Sequence, residues 1–191
     1  MKRILFCLAL FLTLLNVHSE DKKMKTESIV LGAGCFWCTE ALYQSTPGIL
    51  TAESGYANGK IESPTYEQVC SGTTGHAEVI KVTFDPAKIT LARVLELFWQ
   101  THDPTTLNRQ GNDVGTQYRS LIAYSDEAQK KIAEESKLKA APLFKQPIVT
   151  EVAALTKFYL AEDYHQDYYR LNPNQPYCRA VIKPKLDKFK P

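Results

Sequence analysis

Apolar and polar positions along the chain switch between two periods. SIVLGAG (residues 28–34) reads as a short apolar strand ending in a small-residue turn. CFWCTEALYQSTPG is helix-like and stops at Pro47-Gly48, and ILTAESGYANGK is a strand followed by a Gly/Asn turn. SPTYEQVCSGTTG reads as a short helical turn between loops, and HAEVIKVTFDP as a strand ended by Asp85-Pro86. Thr90 can cap a helix through Gln100, because Leu91, Val94, Leu95 and Phe98 fall on one helical stripe. HDPTTLNRQGNDVG is a polar loop of unusual length, and long loops tend to be functional. TQYRSLIAYS is a strand, DEAQKKIAEESKLKA an exposed helix with Asp126 and Glu127 in its first turn, and QPIVTEVAAL another strand. AEDYHQDYYRLNP reads as a last, aromatic-rich helix before an irregular tail. Strands alternating with helices, without repeats, predict one α/β domain over residues 28–191 with a mixed sheet.

The N-terminus has a different pattern. Lys2-Arg3 precede an apolar run, Ile4–Leu15, broken only by Thr13, with small residues Val17 and Ser19 after it. That is the layout of a signal peptide, with cleavage expected after Ser19, and the run is short for a membrane span. Residues 20–27 form a charged linker. The expected location is therefore secreted or periplasmic, without stable membrane insertion once the leader is removed. Of 23 basic residues, loss of Lys2 and Arg3 leaves 21, equal to the 21 acidic ones. A near-neutral chain gives no support for nucleic-acid binding.

Four cysteines then remain: Cys35, Cys38, Cys70 and Cys178. A domain of this size does not depend on disulfide staples, so chemistry is as good a reason for thiols as stability. Cys35 lies where a strand and turn give way to a helix, whose free N–H groups and partial positive charge favour a thiolate. A buried cysteine in a βα turn is the plainer reading. Cys38 gives the Cys-x-x-Cys redox spacing, or else packs, or joins a structural disulfide. No second close ligand pair accompanies them, so zinc is not expected. Phe36 and Trp37 are core residues or, beside a reactive thiol, the walls of a pocket for a small apolar group. Strand alternation puts Glu78 on the face of Ile80, Val82 and Phe84; burial there would keep its carboxyl protonated and make it a general acid. Asp113, Tyr118 and Tyr66 are polar candidates that persuade only together. Cys70 reads as a buried free thiol, His165 as a packing residue among tyrosines, and Cys178 as lying in an irregular segment able to move.

GCFWCTEA (34–41), SGYANG (54–59), PTYEQVCSGTTGHAEVIKVTFDP (64–86), FWQTHDPTTLNRQGNDVGTQYRS (98–120) and YHQDYYRLNP (164–173) occur in this order. With these blocks the chain resembles peptide methionine sulfoxide reductases of the A type, from Ser28 to Cys178. The resemblance implies a two-layer α/β plait, ferredoxin-like, and a reaction without metal or organic cofactor. It implies that Cys35 attacks the sulfoxide sulfur and Phe36 and Trp37 wall the methyl pocket. Glu78 would protonate the sulfoxide oxygen, with Tyr66 and Tyr118 as hydrogen-bond donors and Asp113 placing the substrate. Methionine would leave, Cys35 would become a sulfenic acid, and a second thiol would condense with it for reduction by a thioredoxin-like donor. Implied substrates are the S epimer of methionine sulfoxide, free or in oxidised proteins and peptides, acted on by a monomer.

Two departures bear on the relay. Many members have a non-cysteine, often Gly, at the position of Cys38, and many have a further cysteine beyond Cys178. The resemblance favours a Cys35–Cys178 disulfide; Cys35–Cys38 is the rival, and Cys38 is also a candidate second step. A thioredoxin-like disulfide oxidoreductase would use Cys35 and Cys38 but leave Glu78 and Cys178 idle. A secreted binding domain with structural disulfides would show no reactive thiol, and a papain-like hydrolase built on Cys35 and His165 lacks a convincing amide partner.

Overall fold

The computed structural model describes residues 25–189. The expected leader, its cleavage site and linker residues 20–24 lie outside them. β1 (Glu27–Ala33) turns into α1 (Phe36–Gln44), and β2 (Ile49–Ala57), α2 (Tyr66–Cys70), β3 (Ala77–Phe84) and α3 (Leu91–Thr101) follow. β4 (Arg109–Gln110) and β5 (Asp113–Val114) pair within the expected long loop. β6 (Ser120–Tyr124), α4 (Glu127–Ala140), β7 (Glu151–Ala154), β8 (Phe158–Leu160), α5 (Tyr168–Leu171) and α6 (Lys183–Phe189) complete the order.

Six strands form one sheet, β7-β6-β1-β3-β2-β8. All neighbours are antiparallel except β6 and β7, so the sheet is mixed, as the strand–helix alternation suggested. Period-two alternation sorts its side chains. Ile29 and Leu31 of β1 and Ile80, Val82 and Phe84 of β3 join Phe36, Leu42 and Tyr43 of α1 and the α3 stripe in one core. Val30, Ala77, Val79, Leu121 and Ala123 face the other way. The four α3 stripe residues are all buried, each contributing roughly 1.5–3 kcal/mol relative to exposure. Thr90 caps that helix by accepting from the Arg93 N–H, and Tyr43 Oη donates to the Val94 carbonyl at 2.8 Å, tying α1 to α3.

Three expectations need correction. The last aromatic helix is broken: Asp163–His165 is a 3-10 turn, Asp167 adopts φ +55, and only Tyr168–Leu171 continues as α5. Left-handed backbone at a non-glycine residue interrupts a helix, and Asp167 is held there through its carboxylate by Gln44 at 2.9 Å and Arg170 at 2.7 Å. The tail is not irregular: Cys178–Ile182 form a π-helical turn that runs into α6. Cys178, Ile182 and Leu186 recur every four residues and pack against the start of α1, and Pro184, which has no N–H, falls just after the π-helical turn, where the regular α-helical ladder is already interrupted. Finally, Cys70 is a free thiol but an exposed one, because Val69 beside it takes the inward position at the end of α2. The edge strand β8 was not anticipated; three residues are too few to show alternation.

Candidate active site

The turn from β1 into α1 creates the centre of the site. Gly34 has φ +84, and a Cβ there would lie 2.6 Å from Gln110 Cβ, so only glycine fits both the backbone and the space. Cys35 is the N-cap of α1 and is 9% exposed. The next residue's N–H, on Phe36, donates 3.2 Å to Glu78 Oε2. That one bond brings a carboxyl from the second residue of β3 to the mouth of the helix.

Around this point is a cavity of about 180 Å³ lined by Cys35, Phe36, Trp37, Tyr66, Glu78, Asp113, Tyr118 and Tyr177. Seven of those eight residues are candidates from the sequence, drawn from positions 35 to 118. Two larger clefts, about 550 and 470 Å³, lie between α3 and α4 and beside β2. Neither contains a thiol or Glu78, so size alone would misplace the chemistry. The small cavity suits the end of one side chain rather than a large ligand.

Tyr177 escaped sequence reasoning. Its hydroxyl lies 3.8 Å from Cys38 Sγ and donates to Asp113 Oδ2 at 3.5 Å. Its position directly before Cys178 was the available signal. Trp37 is held by three aromatic partners. Its Nε1 donates to His165 Nδ1 at 3.1 Å, its ring stacks on Tyr168 with centroids 3.7 Å apart and 6° between planes, and Tyr177 meets it edge-on. His165 is buried against Phe36 and Tyr66 as well, which agrees with a packing role.

Electrostatics divide the labour. Burial pushes the Glu78 carboxyl up to about 8, against the opposing pull of the Phe36 N–H, with the Asp113 and Cys38 charges adding to the rise. It is therefore protonated at neutral pH. Burial likewise raises the Tyr66, Tyr118 and Tyr177 phenols, which stay proton donors.

The thiols differ from expectation. Cys35 is held well above the usual thiol range, first by its hydrogen bond to Cys38, then by burial and by the Cys38 and Glu78 charges. Cys38 is lowered to about 7, chiefly by the same hydrogen bond, with help from the Lys185 charge and Tyr177. The helix N-terminus alone does not ionise Cys35; the two thiols titrate as one pair, with Cys38 the readier to give up its proton. Cys178 is fully buried in the same cluster, its thiol raised by burial and then by the Cys38 charge. Cys35, Cys38 and Cys178 are all free. Among the described residues no cluster of three His, Cys, Asp or Glu side chains is arranged to hold a metal ion.

A nucleophilic sulfur pair facing a neutral carboxylic acid and two phenols defines a thiol-dependent oxidoreductase site, built to split a bond to an oxygen that must be protonated to leave. The chain belongs to the peptide methionine sulfoxide reductase family, whose model matches residues 27–191. It is 59% identical over 163 residues to the peptide methionine sulfoxide reductase MsrA of Leptospira borgpetersenii, covering 85% of this chain and 93% of that protein. Its fold matches the reduced form of Mxr1 from Saccharomyces cerevisiae with a TM-score of 0.77 at 40% identity, covering 81% of this chain and 90% of that one. Mxr1 in complex with Trx2 matches with a TM-score of 0.56 at 29% identity, over 74% of this chain and 84% of that one.

Alkylation of the reduced protein should report the paired titration. The first thiol should react with a midpoint near pH 7, and peptide mapping should find the label on Cys38 before Cys35. A label that appears first on Cys35 would put the resting thiolate there instead.

Proposed function

We infer that the protein reduces methionine sulfoxide to methionine, using Cys35 as nucleophile and Glu78 as acid. The observation that carries the reading is the Phe36 N–H to Glu78 bond, which sets a neutral carboxyl beside the Cys35 thiol at one cavity. The Cys38 thiolate takes the Cys35 proton, and the Cys35 sulfur attacks the sulfoxide sulfur. Glu78 gives its proton to the oxygen as the S–O bond breaks, assisted by the Tyr66 and Tyr118 hydroxyls. The hydroxide so released adds to the Cys35 sulfur as the Cys35–methionine S–S bond breaks, so methionine leaves with that electron pair and Cys35 is left as a sulfenic acid. Phe36 and Trp37 wall the methyl group and Asp113 positions the substrate, which is the S epimer, free or in an oxidised protein. The two-layer, ferredoxin-like plait is the scaffold in this reading, supported by the helices α1, α3 and α4 sharing one core with one sheet face.

Packing favours Cys38 as first resolver over the direct Cys35–Cys178 pairing that the resemblance favoured. Cys38 packs with Cys35 and Cys178 in one buried cluster, and the Cys178 thiol feels the Cys38 charge. The Cys38 sulfur displaces water from the sulfenic acid, and Cys178 then displaces Cys35 from Cys38, leaving a Cys38–Cys178 disulfide. A thioredoxin-like dithiol supplies the two electrons that reopen it, a reading supported by the structure of yeast Mxr1 with Trx2. The leader pattern at Lys2–Ser19 supports export, so that donor would be extracytoplasmic and the working enzyme a secreted or periplasmic monomer. The disulfide oxidoreductase reading is not favoured, since it gives Glu78 no task.

Cysteine variants test the relay. Cys35→Ser should abolish sulfoxide reduction. Cys178→Ser should still turn over once per protein and accumulate a Cys35–Cys38 disulfide; a lasting sulfenic acid in that variant would remove Cys38 from the first step. The pH profile of single-turnover reduction tests the acid. The rate should rise through about 7 as the thiol pair ionises and fall through about 8 as Glu78 loses its proton. Glu78→Gln should slow the step by roughly 10²–10⁴-fold and erase the alkaline limb. An unchanged limb in that variant would assign it to another group.

A further inference from the structure

Behind the cavity, Trp37, Glu40 and Gln44 are spaced i, i+3 and i+7 on α1, so they share one face. Trp37 and Gln44 grip residues 165–168 directly, and Glu40 reaches that stretch through Ser54 and Gln166. Trp37 holds His165 and Tyr168, and Gln44 holds the Asp167 carboxylate. Glu40 lies between them, 1% exposed, accepting from Ser54 Oγ at 3.2 Å. Ser54 in turn is bound through its backbone by Gln166, whose side chain accepts from the Ser54 N–H and donates to the Ser54 and Ala161 carbonyls. Asp167 is held at φ +55, a conformation a non-glycine residue keeps only when its surroundings impose it.

We propose that Glu40 is a positioning residue for the substrate pocket: through Ser54 and Gln166 it seats the Asp167–Tyr168 turn beside α1 and so fixes Tyr168 against the Trp37 wall. The inference rests on the functional reading given above for that pocket. Burial raises the Glu40 carboxyl to about 7, against the pull of the nearby Asp167 backbone and the Ser54 hydroxyl. Its Oε2 is buried without a hydrogen-bond partner among the described residues. The clasp therefore runs through one oxygen: Ser54 Oγ donates to Glu40 Oε1, and the Ser54 backbone is held by Gln166, the residue before Asp167. It is also not backed by solid packing, because the cleft of about 470 Å³ beside β2 is lined by Glu40, Gln44, Gln166, Asp167 and Arg170. Cutting the clasp leaves the turn room to shift, and Tyr168 would move with it. Trp37 would then lose its stacking partner, widening the wall without touching Cys35 or Glu78.

The chain has two tryptophans, Trp37 and Trp99, so a Trp99→Phe parent reads Trp37 alone. In that full-length parent, Glu40→Ala should change the Trp37 emission without substrate present. It should also raise KM for a methionine sulfoxide peptide by about tenfold while leaving the single-turnover rate at saturation within about twofold. Gln44→Ala, at an exposed helix position, should move both readouts in the same direction by less. It decides alone if Glu40→Ala does not fold. Unchanged emission and KM in the folded variants would overturn the proposal, and so would a loss of rate and stability with Trp37 emission unmoved. The parent's own sulfoxide turnover tests the functional reading, whereas the variants' shifts relative to that parent test the clasp.

Discussion

One hydrogen bond organises the molecule: Phe36 N–H to Glu78 Oε2, joining the first turn of α1 to the inner face of β3. It exists because Glu78 has the same parity as Ile80, Val82 and Phe84, and because Leu31 of β1 is registered with Ile80. A slip of one residue would turn the carboxyl to the opposite face of the sheet. The bond also sets how acidic the group is. One backbone donor offsets part of the burial penalty and leaves the carboxyl neutral yet able to part with its proton. Several donors would have stabilised a carboxylate, which has no proton to give.

The sulfur chemistry is arranged by the same economy of burial. A thiol that is 9% exposed does not ionise merely because it caps a helix, since the charge must also be solvated. Cys38, buried beside it in the same cluster, is the neighbour whose titration is coupled to that of Cys35. Tyr177 links that pair to Asp113, and the residue after it is Cys178. The segment that carries Cys178 thus also lines the pocket through Tyr177. Pocket and sulfur cluster both depend on the seating of the C-terminal turn.

Much of this could be read before any coordinates. The α3 stripe and its Thr90 cap are local signals, and Glu78 follows from strand alternation. Tyr66, Asp113 and Tyr118 were weak one at a time; the family resemblance grouped them, and the fold brings them to one cavity. What stayed hidden depends on tertiary contact. The left-handed Asp167 rests on Gln44, 123 positions away along the chain. The α6 helix is masked by lysines and Pro184, and its Cys178–Ile182–Leu186 face is meaningful only against α1. The protonation of Cys35 turns on burial and on the Cys38 sulfur, neither of which a helix-start pattern reports.

The neutrality of Glu78 at working pH is the claim on which the chemistry turns, and isotope-edited infrared spectroscopy of the reduced protein reads it without reference to turnover. Wild type should carry a protonated carboxyl C=O band at pH 7 that is missing from Glu78→Gln, and it should disappear with a midpoint near 8. A carboxylate already ionised at pH 7, titrating instead near the ordinary Glu value of about 4.3, would contradict the account.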